Sequence, residues 1–134
     1  MVIPEKTLFQ PNPVSAINFE PAMRGFFLVI DAWKVPAETA RTILGQPPER
    51  TYYHWRKGHG VRLSHDTLRR IGYVAGIYKA LQILYSNSQL ADSWVNRPNQ
   101  DFGGQTPLQR MAAGDVTDLA HVRAYLDAAR GLWN

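Results

Sequence analysis

The chain has 134 residues, of which 45% are hydrophobic and 19% charged, and its formal net charge is +4. A chain of this size buries about two-thirds of its unfolded surface, so we expect a compact domain, or two small modules sharing a core, and exclude a disordered or fibrous chain. It has no cysteine, which excludes disulfides, thiolate zinc sites and a cysteine nucleophile and is typical of a reducing cytoplasm.

We predict that the first 21 residues form an arm. Prolines stand at positions 4, 11, 13 and 21 without usable periodicity, which is typical of an extended arm or a mobile tail that could drape over a partner. The arm has neither the basic run nor the apolar stretch of a signal peptide. The most apolar segment of the chain, residues 25–30, is far shorter than the ~20 residues of a membrane-spanning helix. We therefore expect neither export nor membrane insertion.

Three helices are predicted between residues 21 and 57. The first begins at Pro21, and its apolar side chains recur three and four positions apart, as in an amphipathic helix. The second covers residues 37–44 and ends at Gly45, and the third runs from residue 49 to about residue 57 before Gly58. In this third helix Tyr52 and Trp55 share one face, which leaves the remaining side chains free for contacts.

The longest predicted helix follows at residues 65–85. Ser64 is its expected N-cap, and its apolar surface is broad enough to imply burial on two sides. Gly72 and Gly76 lie four positions apart in it and would allow another helix to approach closely.

Three shorter helical segments complete the prediction. Ser88 is expected to cap a helix that ends at residue 96 and turns Leu90 inward. Thr106 is expected to cap the segment at residues 108–113, and Thr117 the last helix, which ends before residue 131. No segment predicts a strand, so the expected fold class is all-α.

No arrangement of residues predicts catalysis or cofactor binding. The histidines at positions 54, 59, 65 and 121 lack the i, i+4 spacing of a helical zinc site. Ser64, His65 and Asp66 are sequence neighbours, so they point in different directions on a helix and cannot form a nucleophile and base. Gly103 and Gly104 lack the strand and the lysine of a phosphate-binding loop. We therefore predict no catalytic residue, no metal and no cofactor.

The positive charge is concentrated between residues 41 and 70. Seven basic and two acidic side chains give this window a net charge of +5, whereas the remainder of the chain is slightly acidic. Such a cluster is typical of a surface that contacts phosphates. A solvated helical face is the alternative explanation.

Residues 36–57 resemble a helix-turn-helix whose second helix could enter the major groove of DNA. Arg41 and Gln46 stand where this motif usually has a small and an apolar residue, so the module could also be a degenerate one that no longer binds DNA. The candidate DNA-binding residues are Arg50, Thr51, Tyr53, His54, Arg56 and Lys57.

Several short motifs occur in order between residues 40 and 131. They are residues 51–55 (TYYHW), 76–81 (GIYKAL), 94–99 (WVNRPN), 102–104 (FGG), 106–108 (TPL) and 122–127 (VRAYLD). With them the later two-thirds of the chain resembles the Xre/MbcA/ParS antitoxin family. The resemblance implies a non-catalytic antitoxin that binds and blocks a RES-domain toxin, an NAD-consuming enzyme. It also implies a homodimer that represses its own operon through the helix-turn-helix.

The residue patterns and the resemblance together predict three parts of the chain. Residues 1–21 are the arm, residues 22–62 a helix-turn-helix-like DNA-binding module, and residues 63–134 a helical toxin-binding and dimerisation domain packed against it. The candidate toxin-binding residues are Arg123, Asp127, Arg130, Leu132, Trp133 and Asn134. The last three would form a tail that plugs a cationic, nucleotide-binding cleft, unless Trp133 folds back on the core.

Two alternatives to an antitoxin remain at this point. The first is a stand-alone helix-turn-helix regulator, which the basic window favours. The second is a purely structural, oligomer-forming module. In the segment from residue 94 to residue 108 we expect Trp94, Phe102 and Leu108 to be core anchors and not contact residues.

Overall fold

The computed structural model describes residues 19–59 and 62–131, and this part of the chain is helical without strands, as predicted. Short 3-10 turns at Trp94–Asn96 and Gln100–Phe102 lie between the fifth and sixth α-helices. The α-helices are α1 (Glu20–Ala32), α2 (Ala37–Ile43), α3 (Glu49–Arg56), α4 (His65–Leu84), α5 (Ser88–Ser93), α6 (Pro107–Met111) and α7 (Val116–Gly131).

The first three helices lie where the periodicity predicts them. Pro21 stands in the first turn of α1, and the residues spaced three and four apart are buried. Helix α1 ends at Ala32, and Lys34 two residues later has a left-handed backbone (φ 56°), so that the Val35 N–H can reach the carbonyl of Ile30.

The α2–α3 connection contains two successive left-handed residues. Gly45 (φ 96°) and Gln46 (φ 60°) reverse the chain between the two helices. Arg41 spans this turn, because its Nη1 donates to the carbonyl of Pro47 at 3.0 Å and its Nη2 to Glu38 at 3.0 Å. The residue that departs from the usual helix-turn-helix pattern therefore holds the turn closed.

Helix α4 is the central helix of the fold. The hydroxyl of Ser64 accepts from the Thr67 N–H at 3.1 Å, which confirms the predicted N-cap. The helix packs most extensively against α7, and also against α1 and α5. Its buried residues share one broad face, whereas Gly72, Ala75, Lys79 and Ile83 are exposed on the opposite side, so the predicted burial on two sides is wrong.

The predicted starts of two later helices are wrong by one or two residues. Asn87, not Ser88, is the N-cap of α5, and its Oδ1 accepts from the amides of Gln89 and Leu90. Likewise the Asp115 carboxylate, not Thr117, receives an amide hydrogen bond at the start of α7. In both cases an Asx residue just upstream reaches two or three residues ahead, which a serine or threonine one step later does less well.

The inward orientation predicted for Leu90 is also wrong. Its side chain is 49% exposed, because Ala91, Trp94 and Val95 occupy the buried face of this segment at helical spacing. Helix α6 begins as predicted at Thr106, which forms a reciprocal capping box with Gln109. Gly103 and Gly104 both have positive φ, as a sharp turn beside buried Phe102 requires.

One hydrophobic core runs through the described residues, from Met23 in α1 to Leu126 in α7. Arg70 adds a polar connection across it. This side chain is 8% exposed and donates to the carbonyls of Ile43 and Gly114, at 3.3 and 3.0 Å, and to Asp66 at 2.7 Å. Within residues 19–59 and 62–131, no helix is long and apolar enough to span a bilayer.

Candidate functional site

Helix α7 carries the described part of the predicted toxin-binding set. Its buried side chains, Leu119, Val122 and Leu126, face the core, and α4 is its main neighbour. The Asp115 carboxylate accepts from the Thr117 amide at 3.1 Å, which lowers the pKa of Asp115. In turn, the Asp118 carboxylate accepts a hydrogen bond from the Asp115 amide at 3.1 Å. The start of α7 is thus fixed locally.

Arg123 is held between α7 and α4. Its Nε lies 3.1 Å from Oδ2 of Asp127, one turn later. Its guanidinium also lies directly over Gly76 of α4, where an added Cβ would collide with it. The close approach predicted for the two α4 glycines therefore occurs at Gly76, and the partner is a side chain. The result is a half-exposed charge whose position is fixed before any partner binds.

The structure places the other predicted toxin-binding residues as follows. Asp127 is exposed beside Arg123, and Arg130 is partly exposed in the last turn of α7. Leu132, Trp133 and Asn134 lie outside the described residues. The structure thus brings Arg123 and Asp127 together on one surface, the α7 surface, which we define as Arg123, Asp127 and Arg130.

An aromatic cluster anchors the segment that precedes α7. Trp94 stacks on Tyr125 with ring centroids 6.0 Å apart, and Phe102 contacts both rings edge-on. The Tyr125 hydroxyl donates to Asp101 at 2.7 Å, and this bond raises the pKa of Tyr125. Trp94 and Phe102 are buried and Leu108 packs partly buried against the core, which confirms the structural interpretation of these residues.

Arg97 and Tyr85 form a polar rim on this cluster that sequence reasoning missed. The Arg97 guanidinium lies 5.9 Å from the centroid of the Tyr85 ring, within the range of a cation–π contact. Together with Trp94, Pro98 and Asn99 they line a hollow of about 230 Å³. The motif at residues 94–99 was the available signal, but only the fold shows that part of it faces solvent.

Helix α3 carries the predicted DNA-binding set, which we call the α3 surface: Arg50, Thr51, Tyr53, His54, Arg56 and Lys57. Tyr52 and Trp55 are buried, as predicted, and burial raises the pKa of Tyr52. Thr51 is half-buried, and the other five members are exposed to varying degrees.

Arg56 differs from its neighbours on the α3 surface. Its Nη2 lies 2.7 Å from the Asp31 carboxylate of α1, which raises the pKa of Arg56, and its guanidinium lies 4.9 Å from the centroid of the Phe27 ring. The side chain thus joins α3 to α1. Sequence reasoning could not find this pair, because Asp31 lies 25 positions away.

The structure reduces the free charge of the basic window. Arg41, Arg56 and Arg70 each form an ion pair, with Glu38, Asp31 and Asp66 respectively. Two of these acids, Glu38 and Asp31, lie outside the window, so its net charge overstates the positive surface that a partner would meet. Among the described residues, four exposed members of the window form no ion pair that is seen: Arg50, Lys57, Arg62 and Arg69.

No metal centre appears in the part of the chain that the structure describes. Nowhere in residues 19–59 and 62–131 do three histidine, aspartate or glutamate side chains converge as metal ligands. His54 and His59 contact each other edge-on, with ring centroids 6.4 Å apart.

Comparison with known proteins adds to this geometry. Residues 80–131, from the second half of α4 to the end of α7, match the antitoxin Xre/MbcA/ParS C-terminal toxin-binding domain. The chain is also 39% identical over 109 residues to the uncharacterized protein y4oB of Sinorhizobium fredii, covering 81% of this chain and 84% of that protein. No solved structure matches the chain. The matched residues include the Arg123–Asp127 pair, the aromatic cluster and the Arg97 rim, and this part of the chain belongs to the Xre/MbcA/ParS antitoxin C-terminal domain family.

Proposed function

We propose that this protein is the antitoxin of a type II toxin-antitoxin system and that it binds and blocks a RES-domain, NAD-consuming toxin in the cytoplasm. The observation that carries the proposal is the match of residues 80–131 to a toxin-binding domain. In this proposal the antitoxin catalyses nothing, and the chemistry belongs to the toxin.

The proposed contact residues are Arg123, Asp127, Arg130, Leu132, Trp133 and Asn134. The fixed position of Arg123 supports its role as a contact residue. Its side chain is already held by the ion pair with Asp127 and by packing over Gly76 of α4, so it loses little conformational entropy on binding. Residues 132–134 would follow α7 into the cationic, nucleotide-binding cleft of the toxin. The exposed Arg97 beside Tyr85 is a second contact candidate, since arginine and tyrosine are enriched among energetically dominant interface residues.

Co-expression tests the proposal directly. The RES-domain toxin should be encoded by the neighbouring reading frame, and its expression alone should deplete NAD and stop growth. Co-expression of this chain should restore both NAD and growth, and the two proteins should co-purify. Continued NAD loss together with the absence of a complex would reject the toxin assignment.

A charge swap separates contact from structural support at Arg123. Arg123→Asp should weaken toxin binding about 10-fold or more if the residue contacts the toxin. The double variant Arg123→Asp/Asp127→Arg keeps an i, i+4 ion pair on α7. If the pair only stabilises α7, the swap should restore binding; if it contacts the toxin, binding should stay weak. Lys79→Ala, an exposed charge on α4, is the matched control and should bind normally.

Deletion of residues 132–134 tests the tail separately. Loss of neutralisation, with the fold unchanged by circular dichroism, is the expected result. Full protection by the truncated chain would remove the tail from the mechanism.

DNA binding is a second candidate function, favoured by the exposed basic and aromatic side chains of the α3 surface. Residues 22–62 would form the DNA-binding module, residues 63–134 the toxin-binding and dimerisation domain, and residues 1–21 the arm. A homodimer would present two α3 surfaces to half-sites of the operator upstream of the chain's own gene.

Fluorescence anisotropy with the upstream DNA tests this function. The affinity should fall steeply with salt, and Lys57→Ala should weaken binding to all sequences alike. Arg50→Ala or His54→Ala should instead change sequence preference. Arg56→Ala should have the smaller effect on affinity, because Asp31 already neutralises this guanidinium. An absence of DNA binding at low salt would reject this second function and leave toxin binding as the only proposed function.

A further inference from the structure

An apolar groove runs along the surface between α1 and α4. It measures about 570 Å³, and its walls include Ala22, Gly25 and Leu28 of α1 and Leu68, Gly72 and Ala75 of α4. Leu28 is 68% exposed, the highest value among the large hydrophobic side chains that the structure describes. None of the lining residues is charged. The groove therefore suits an apolar, uncharged occupant.

The glycines of the groove are not explained by packing among the described residues. A Cβ at Gly76 would collide with Arg123, which gives that glycine a reason inside the fold. A Cβ at Gly25 or Gly72, by contrast, would meet no described atom within 4 Å. Each of these glycines costs roughly 1 kcal/mol of helix propensity relative to alanine. Because they carry no side chain, Gly25 and Gly72 leave the groove open.

The dimensions of the groove favour a short segment over a second folded chain. Its walls span residues 21–29 of α1 and 68–78 of α4, which corresponds to about 12–15 Å along the helix axes. Packed helices lie about 8–10 Å apart between their axes, which sets the width of the groove. The area of the groove is therefore far smaller than the roughly 800 Å² per partner that a stable interface between folded proteins buries. Four or five extended residues have about the right length, at ~3.3 Å each.

The described structure begins beside this groove. Phe19 precedes α1, and Pro21 already lines the groove, so that 18 further residues precede its mouth. Those residues include the apolar pair Leu8 and Phe9, and their two charges, Glu5 and Lys6, cancel.

We propose that the N-terminal arm occupies the groove of its own chain, with Leu8 and Phe9 covering the space over Gly25 and Gly72. Phe9 lies ten positions before Phe19, and this length of chain can span about 33 Å, which allows the chain to reverse and reach any point of the groove. The tether holds the arm at an effective concentration on the order of millimolar, so contacts too weak for a free partner are sufficient. This inference is independent of the toxin and of DNA.

The absence of cysteine from the chain makes disulfide trapping a clean test. Full-length Phe9→Cys/Leu28→Cys should oxidise within one chain at least 10-fold faster than Phe9→Cys/Ile83→Cys. Ile83 is also an exposed hydrophobic residue of the chain, but it does not line the groove. Equal rates for the two pairs would overturn the proposal, and so would a predominance of disulfides between chains, which would indicate that the occupant comes from a second copy.

A groove-filling variant gives an independent readout. Gly72→Leu has room for its side chain in the fold and should displace the arm, so that trypsin cuts after Lys6 about 10-fold faster. Lys79→Leu adds the same side chain on α4 outside the groove and should leave the cleavage rate unchanged. An unaltered rate in Gly72→Leu would overturn the proposal.

Discussion

The helices of the first half of the molecule, α1 to α3, begin in a different way from those of the second half, which starts at α4. At α1, α2 and α3 no N-cap side chain forms a hydrogen bond, and each start has a proline at or next to it: Pro21, Pro36 and Pro48. At α4, α5 and α6 the N-cap side chain accepts a backbone N–H in every case. The later helices thus have local signals for their starts, whereas the earlier ones depend on prolines with a pre-set φ and on burial of apolar side chains.

The residue that connects the two halves should have the largest effect on stability. Arg70→Ala removes the donor to the carbonyl at the end of α2 and to Gly114 before α7, so both lose a buried partner. We expect the free energy of unfolding to fall by about 3 kcal/mol, measured by chemical denaturation. Arg69→Ala, at an exposed neighbour, should change it by less than about 0.5 kcal/mol. Similar values for the two variants would show that the halves are not coupled through Arg70.

Loss of a local cap should cost less. Thr106→Ala breaks the capping box at α6 and should lower the free energy of unfolding by about 1 kcal/mol. Thr42→Ala, within α2, removes only a bond from the hydroxyl to the carbonyl four residues earlier, and should be neutral within about 0.5 kcal/mol. An equal loss in both variants would contradict the idea that local caps matter more in the later half.

One substitution in the first half should stabilise the protein. Lys34 has φ 56° at the end of α1, a conformation that costs a side-chain-bearing residue about 1 kcal/mol. Lys34→Gly should therefore raise the free energy of unfolding by about 0.5–1 kcal/mol. Lys57→Gly at the end of α3, where φ is −80°, should lower it, because glycine there only adds freedom to the unfolded chain. A loss of stability in Lys34→Gly would indicate that its side chain has a role the backbone does not reveal.

The smallest effect concerns pH. The hydrogen bond from the Thr117 amide lowers the pKa of Asp115 below its usual value near 4. The contribution of this carboxylate to stability is therefore fully present above that usual value and is lost as the pH falls through the lower, native value. The stability difference between the unmodified chain and Asp115→Ala should narrow in acid. For Ser64→Ala, which removes the cap of α4 and no titratable group, the difference should stay constant.

The sequence predicts the helices better than it predicts their exact starts. Apolar spacing is sufficient to place α1 and α4, because the buried face of each repeats over two or more turns. The starts of α5 and α7 were misplaced because Asn87 lies beside Ser88 and Asp115 lies two before Thr117, and such neighbouring polar residues compete for the same amides.

The candidate surfaces show a different limit. Exposed Tyr53 and buried Tyr52 follow from helical spacing alone. The ion pair between Arg56 and Asp31 and the packing of Arg123 over Gly76 depend on how helices that are distant in the sequence pack together. The net charge of a window therefore counts residues correctly, but it cannot separate free guanidinium groups from those that brace the fold.

The position of α4 determines how the protein can be divided. A fragment restricted to residues 80–131 would start inside α4. It would lack Ile71, Val74 and Ile77, three buried residues of the helix against which α7 packs most extensively. The apolar side of α7 would then face water, and the fragment should aggregate. The smallest autonomous recognition unit must therefore begin no later than Ser64, and fusion or display of this protein should leave α4 whole.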